Sequence, residues 1–475
     1  MFQKILAWVK EVIKKMFGAN TLKTALSVDV AVSSEMAEAL ELWRRMYIND
    51  SPWLNNDTKS LNLAAAVASE VARAVTIESD VEMSGGPRAE YLYGQFGPLF
   101  DGIRPRLEYG MAIGGVVFKP YVNGDKVSVD FVYVDQFYPI SFDDSGRIVD
   151  CVFADTKTIT NAYYTRLERH RLTPEGAEIT NLAYRSTSKN DLGQPVPLES
   201  VEAWASILPS AVITGVDRLL VGYYKPPIAN NIDHASPLGV SVYARAVELI
   251  EQADKQWSDL LWEFDSGKRS LYVDELAFDR DANGKPILPN KRLYRTLKSA
   301  IGSAEGDMFR EWTPTLREQN IINGLEAILR KIEFTVGLAY GTISNPESVA
   351  LTATEIVASK QRTAALVKDN QKALEDALED LLYAMDVYAT VYGLASAGMY
   401  QVVFTWDDSV VTDSNTQFAQ DLQALSAGLM SKARFMERNY GMTPEMAQNE
   451  LLAINAERPA DLFNPADLLN GNANI

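Results

Sequence analysis

Residues 236–267 read SPLGVSVYARAVELIEQADKQWSDLLWEFDSG. Ser236 and Pro237 supply a helix start, since proline is tolerated in the first turn, and Gly267 supplies a stop. Between them Tyr243, Ala246, Ile250, Ala253, Trp257, Leu260 and Phe264 recur at alternating spacings of three and four. That is a narrow apolar stripe, of the kind found where helices lie side by side. At 1.5 Å per residue the predicted rod is roughly 40 Å long. Glu248, Glu251, Asp254, Asp259, Glu263 and Asp265 occupy its other faces against Arg245 and Lys255, which predicts an acidic, solvated surface.

A second rod is predicted from about Thr352 to Tyr392, roughly 60 Å long. Its first half is polar nearly all round, whereas Leu374, Leu378, Leu381, Met385, Tyr388 and Tyr392 return at spacings of four and three in the second. A half-helix without an apolar face cannot be held by its own core, so it must be supported by partners or bridge between elements. The residues between the rods read as a small module. Leu271–Phe278 is a strand, 279–290 is rich in turns, Lys291–Gly302 is a short helix, and Phe309–Pro314 is a strand-like return. Helix resumes from Glu318 to about Gly341, and Thr342–Leu351, which contains Asn345-Pro346, has no helical period. Two rods around an inserted module suit an assembly better than a compact enzyme.

Upstream, Ser34–Leu107 reads as mainly helical, with a periodic segment at Glu35–Tyr47 and an alanine-rich one at Leu61–Val75. From Ala112 to Tyr184 the chain turns to Val, Ile, Phe and Tyr, with turn chemistry at Asn123-Gly124 and at Asp143-Asp144-Ser145-Gly146. Alternation of Val127, Val129, Phe131 and Tyr133 predicts antiparallel hairpins. Ser186–Ser200 is loop-like, and Lys225-Pro226-Pro227 ends the strand-rich section. Downstream come a strand over Tyr400–Trp406 and helices over Gln417–Leu429, Ser431–Tyr440 and Pro444–Ala456. The tail repeats Pro-Ala-Asp-Leu at 459–462 and 465–468 and is expected to be mobile. The fold class is α+β, predominantly helical.

Composition narrows the function. Hydrophobic residues make up 47% of the chain, enough for a packed core. A formal charge of −18 argues against tight gripping of a nucleic-acid backbone, which calls for basic patches. The lone Cys151 excludes an intramolecular disulfide framework, and with only His170 and His234 a histidine-rich metal site is not expected. No stretch reaches the roughly 18–20 apolar residues of a bilayer span. Lys4, Lys10, Lys14 and Lys15 break any signal-like apolar run, while Phe2, Ile5, Leu6, Val9, Val12, Ile13 and Met16 recur as one helix face. A helix docking on protein is the simpler reading of Met1–Gly18; one lying on a membrane is the alternative.

Motifs for catalysis are missing. No glycine-rich phosphate loop with Gly-Lys-Ser/Thr and no Gly-x-Ser-x-Gly elbow occurs. Asp279, Asp281, Asn283 and Gly284 match the first half of a calcium loop, but Asn290 stands where the bidentate carboxylate belongs, so an exposed hairpin turn is expected. Asp407, Asp408 and Asp413 read as a helix-capping turn, Cys151 as a buried structural thiol, and His170 as a surface or packing residue. The expectation is a non-enzyme with no cofactor and no metal.

Several runs in a fixed order carry a resemblance. They are Gly114-Gly-Val-Val-Phe-Lys-Pro-Tyr121, Asp135-Gln-Phe-Tyr-Pro139, Tyr164-Thr-Arg-Leu-Glu168, Ser236-Pro-Leu-Gly-Val-Ser-Val-Tyr243, Leu351-Thr-Ala-Thr-Glu-Ile356, Phe404-Thr-Trp-Asp-Asp-Ser409 and Ala427-Gly-Leu-Met-Ser-Lys432. With them the chain resembles, over nearly its whole length, the portal proteins of long-tailed phages of Gram-positive bacteria. The resemblance implies a portal-type fold. Its parts would be a wing over 1–235, a stem helix over 236–267, a small α/β clip over 268–311 and a returning stem segment over 312–341. A tunnel loop over 342–351, a wing section with the long helix over 352–430, and a helical crown with the tail over 431–475 would follow.

The resemblance also implies a homo-oligomeric ring, usually of twelve subunits, at the capsid portal vertex of the virion. Such a ring is made in the host cytoplasm and conducts double-stranded DNA in packaging and ejection. Its partners would be the terminase large subunit, the head-tail adaptor, and the major capsid and scaffolding proteins. Thr342, Ser344, Asn345, Ser348 and Thr352 would face DNA as uncharged groups, and Arg280, Asn283 and Lys285 would lie on the clip surface that meets terminase or adaptor. Acidic rods would repel phosphates only at close approach, within a Debye length of about 8 Å. Asn345-Pro346-Glu347 departs from the pattern as a stiff, acidic insertion in the loop. Two other readings stay open: a different virion head or adaptor protein, and a membrane-associated protein held by Met1–Gly18.

Overall fold

The structure is a computed structural model that describes residues 32–144, 146–188, 191–234, 236–268, 270–274, 278–281, 283, 285–289, 293–297, 309–346, 353–406 and 414–457. The amphipathic segment Met1–Gly18, the Asp407, Asp408 and Asp413 group and the repeats of the tail lie outside these residues. The chain forms two compact units, Met1–Trp406 and Asp407–Ile475.

The larger unit opens with α1 (Ser34–Tyr47), capped by the Ser33 hydroxyl accepting from the Met36 amide, and α2 (Leu63–Thr76). Strand β1 (Ser79–Ser84), α3 (Pro87–Asp101) and α4 (Arg104–Ile113) follow. A β-rich run comes next: β2 (Val116–Asn123), β3 (Lys126–Tyr133), β4 (Phe137–Phe142), β5 (Ile148–Ile159), β6 (Ala162–Thr173), β7 (Gly176–Ser186), β8 (Gln194–Val196), β9 (Ser210–Thr214) and β10 (Gly222–Tyr224). Then come α5 (Val247–Ser266), β11 (Ser270–Asp274), β12 (Tyr294–Leu297), β13 (Phe309–Trp312), α6 (Glu318–Val336), α7 (Ala353–Val391) and β14 (Gln401–Trp406). The predicted α+β class holds, with helix outweighing strand.

Strands β4-β5-β6-β7-β8 form one antiparallel sheet, with β9 also on β7. Hairpins turn where glycine and aspartate predict, at Asp143–Gly146 between β4 and β5 of this sheet and at Asn123-Gly124 between β2 and β3. A second sheet, β10-β2-β3, lies against the apolar second half of α7. There Leu374, Leu378, Leu381 and Met385 are fully buried. Each such side chain contributes roughly 1.5–3 kcal/mol by leaving water. The contact is close: a β-carbon on Gly222 would stand 2.1 Å from the Ala377 carbonyl oxygen of α7. The Tyr224 hydroxyl donates to Asn370 Oδ1 at 2.6 Å, which explains a buried asparagine in the polar part of the rod.

Three readings are corrected. The helix expected from Ser236 begins at Val247, after a 3-10 turn over Ala244–Ala246. Residues 238–243 are engaged by tertiary partners: the Val242 amide donates to the Met111 carbonyl at 3.0 Å and the Tyr243 hydroxyl to that of Trp43 at 2.8 Å. The expected helix over Lys291–Gly302 is, where described, strand β12, parallel to β11 in a three-stranded sheet completed by β13. The upstream region is mainly helical, as expected, and its one strand among the described residues, β1, pairs with β14 from the far end of the unit. The helix expected over Glu318–Gly341 stops at Val336, where Gly337 takes φ +87°.

The acidic face predicted for the first rod is only partly acidic in effect. Asp254 is buried, accepting from the Leu61 amide at 2.7 Å and from Trp53 Nε1 at 2.8 Å. Burial raises its pKa, and these two donors oppose that shift. Glu263 accepts from Arg317 at the entry to α6, joining the ends of the two helices. Asp254→Ala is expected to cost about 2 kcal/mol by orphaning two donors. The check is a lower urea midpoint at unchanged slope.

The smaller unit holds α8 (Ser414–Ser426), α9 (Lys432–Tyr440) and α10 (Pro444–Glu457). The Ser431 hydroxyl caps α9, and buried Phe435 packs on the Phe418 and Tyr440 rings at 5.5 and 6.2 Å. Buried Asp421 accepts from Asn439 Nδ2 at 3.0 Å.

Candidate functional site

The segment joining α6 to α7 is irregular backbone held from both sides. Gly337 ends α6 in the left-handed region, and Gly341 repeats that conformation at φ +87°. The organising group is Glu333, which is completely buried near the end of α6. Its Oε1 accepts the amides of Ile343 at 2.6 Å and Ser344 at 2.8 Å. Its Oε2 accepts the Ser344 hydroxyl at 2.9 Å and the Gly341 amide at 3.3 Å. Two turns earlier on the same helix, Glu326 Oε2 accepts the Asn345 amide at 2.9 Å. From α7, the Ser359 hydroxyl accepts the Tyr340 amide at 2.9 Å and the Thr363 hydroxyl donates to the Gly337 carbonyl at 3.2 Å.

Of the residues expected to face DNA, Thr342 and Asn345 are exposed on this segment. Ser348 and Thr352 lie outside the described residues. Ser344 is corrected: it is 3% exposed and its hydroxyl is committed to Glu333, so it shapes the turn instead of offering a side chain outward. Beside the segment, the Arg362 guanidinium stands 4.5 Å from the Phe334 ring centroid and 5.5 Å from that of Tyr340, and Lys331 lies 4.9 Å from Phe334. Such cation–π contacts hold positive charge near the segment while leaving the Phe334 ring half exposed.

Glu326 and Glu333, which hold this segment, are residues that pattern reading missed. One signal was available. A carboxylate in the last turn of a helix opposes the macrodipole, and so calls for donors from outside the helix. Glu333 occupies such a position four residues before Gly337.

The module between the rods presents the second group. Asp281 Oδ1 accepts the amides of Asn283 and Lys285, both at 2.9 Å, and Arg280 pairs across the turn with Pro286. The half-match to a calcium loop is thus a turn in which the second ligand-type carboxylate, Asp281, is occupied by backbone amides. Arg280, Asn283 and Lys285 are all exposed on it.

The remaining chemistry-bearing residues serve packing. Cys151 is fully buried, and burial, Asp150 and Glu168 push its thiol well above the usual range. His170 is 1% exposed, its ring edge-on to Phe153 at 5.1 Å, and its Nε2 donates to Glu168 Oε1 at 2.8 Å. Glu168 also pairs with Lys119 at 2.7 Å and Arg166 at 2.9 Å. Burial raises its pKa, but Lys119, His170 and Arg166 together outweigh this and hold it well below the usual carboxylate range. Among the described residues no group of three or more His, Cys, Asp or Glu is placed to hold a metal ion. Among them, too, no helix is long and apolar enough to cross a membrane.

A family model described as phage portal protein, SPP1 Gp6-like, matches residues 104–459. No match emerges among curated proteins.

Proposed function

The chain belongs to the phage portal protein family, SPP1 Gp6-like, and on that premise we propose that it is the ring subunit of a capsid portal vertex. The ring, usually of twelve copies in this family, conducts double-stranded DNA during packaging and ejection. It is a structural part of the virion, not an enzyme. Residues 236–267 and 312–341 serve as the stem, 268–311 as the clip and 342–351 as the tunnel loop. Arg280, Asn283 and Lys285 lie on the surface offered to the terminase large subunit and later to the head-tail adaptor. The capsid and scaffolding proteins surround the assembly.

The observation that carries this reading is the pairing of a pinned loop with helices whose surfaces are unfinished in a single copy. At the clip end of α5, Leu261, Trp262 and Phe264 are 40%, 64% and 46% exposed. Of these, Trp262 lines a groove of about 490 Å³ together with Gln256, Asp259, Arg317 and Ile321 among others. Three large apolar side chains left in water on the last turns of one helix favour association, and aromatic anchors usually dominate such interfaces. On the loop, uncharged Thr342 and Asn345 offer weak contacts that let a duplex slide, and the net charge of −18 disfavours gripping it.

Negative-stain microscopy of the purified full chain is expected to show closed annular particles with an opening wide enough for a duplex. Trp262→Glu combined with Phe264→Glu is expected to shift these annuli to monomers. A lone globule under all conditions overturns the proposal, and a narrow disc that docks beneath a larger ring assigns the chain to the adaptors instead.

A further inference from the structure

Every anchor of the α6–α7 segment could in principle be incidental packing, except that one of them is a fully buried carboxylate. Among the described residues Glu333 forms no ion pair; its partners are the loop amides and the Ser344 hydroxyl described above. Its charge is therefore stabilised by the loop itself. If the loop moves off α6, the carboxylate loses all four donors at once, and a buried charge without donors is strongly disfavoured. A gradual displacement is disfavoured for the same reason, because two amides share one oxygen and two further donors share the other. The seated state, with all four donors in place, is therefore favoured over a released one.

We propose that Glu333 is the positioning residue of the DNA-facing loop: it latches the loop on α6 and so fixes how far Thr342 and Asn345 project. The inference rests on the portal reading for what the loop touches, though the latch itself rests only on geometry. Glu326 is a secondary tether. Its single bond to the Asn345 amide lies at the solvent-exposed edge, so it steadies the loop tip without deciding between the two states.

The test uses the full chain, assembled. Glu333→Gln keeps the size but replaces one accepting oxygen by an NH2 group, which cannot serve two of the four donors. Amide hydrogen exchange of Ile343 and Ser344 is expected to speed up at least about tenfold, since exchange follows local opening. Amides of Leu374–Met385 in the core should keep their wild-type rates. Ser344→Ala, which removes one donor and leaves the carboxylate, is expected to give a smaller rise at Ile343. In a virion-assembly assay, Glu333→Gln rings of normal diameter should yield at least about tenfold fewer DNA-filled heads.

Unchanged exchange at Ile343 and Ser344 overturns the latch, whatever the heads contain. Faster exchange with normal filling overturns the positioning role. If wild-type protein forms no annuli, the portal reading fails instead, and the exchange result then still decides whether the latch exists.

Discussion

Replacing Glu168 by alanine is expected to destabilise the larger unit by about 3–5 kcal/mol, the range for removing one partner of a buried charge cluster. Lys119 on β2 and Arg166 and His170 on β6 converge on this single carboxylate, and Lys119 also lies 5.4 Å from the Phe153 ring centroid. Without Glu168 the buried Lys119 ammonium loses the one ion pair it makes among the described residues. Lys119 sits on the β10-β2-β3 sheet and Glu168 on the six-stranded one, so the pair also joins the two sheets.

The pH dependence has a definite sign. The folded-state pKa of Glu168 is depressed, so its contribution is complete above the unfolded carboxylate pKa of about 4.3. It is lost as pH falls through the lower folded value. Urea unfolding of wild type and Glu168→Ala should therefore differ most at neutral pH and converge in acid. A gap that persists unchanged in acid would assign the loss to packing, not charge. Adding Lys119→Met to Glu168→Ala should recover part of the loss, because the stranded cation is then gone.

The second large effect is expected at Gly114. It takes φ +99°, and a β-carbon there would stand 2.5 Å from the Gly239 carbonyl oxygen; a β-carbon on Gly239 would stand 2.2 Å from the Gly114 oxygen. The two backbones touch because neither carries a side chain. Gly114→Val places a β-branched residue at positive φ and drives its side chain into the opposing strand of chain. The combined strain and overpacking cost about 3 kcal/mol or more. Thermal unfolding would register this as a drop of several degrees, whereas Gly124→Ala should cost much less. Gly124 has φ +65° but open space around it. Equal losses at the two positions would mean that φ alone, and not the close approach, sets the cost.

That contact explains something the linear pattern could not. The runs Gly114–Tyr121 and Ser236–Tyr243 stand far apart in sequence, and both read as local structure, the second as the start of a helix. In the fold they form one joint: Gly114 on Gly239, Val242 on Met111, and the Gly239 amide donating to the Tyr223 hydroxyl at 3.1 Å. The joint draws residues 238–243 out of the helix that Pro237 would otherwise begin, so α5 starts only at Val247. Tertiary contacts overrode a sound local signal. Lys291–Gly302 failed for a related reason. Leu293 to Leu297 has no strong preference of its own, and it becomes a strand because β11 offers a pairing edge, the Leu271 amide donating to the Leu293 carbonyl at 2.7 Å.

What the sequence determined by itself is everything that depends on near neighbours along the chain. Glycine and asparagine at Asn123-Gly124 set a hairpin, and Ser33 and Ser431 cap helices. The spacing of Leu374, Leu378, Leu381 and Met385 marks the buried face of the long rod. The ordered runs suffice to indicate the family. Tertiary structure alone decided which polar groups meet across distance. Glu333 under the loop, Ser344 turned inward, Asp254 beneath Trp53 and Glu168 among Lys119, Arg166 and His170 each depend on donors brought to them by the fold. Periodicity records which face of a helix or strand is apolar. It carries no information about the partner of a buried charge, because that partner is chosen by packing after the elements have formed.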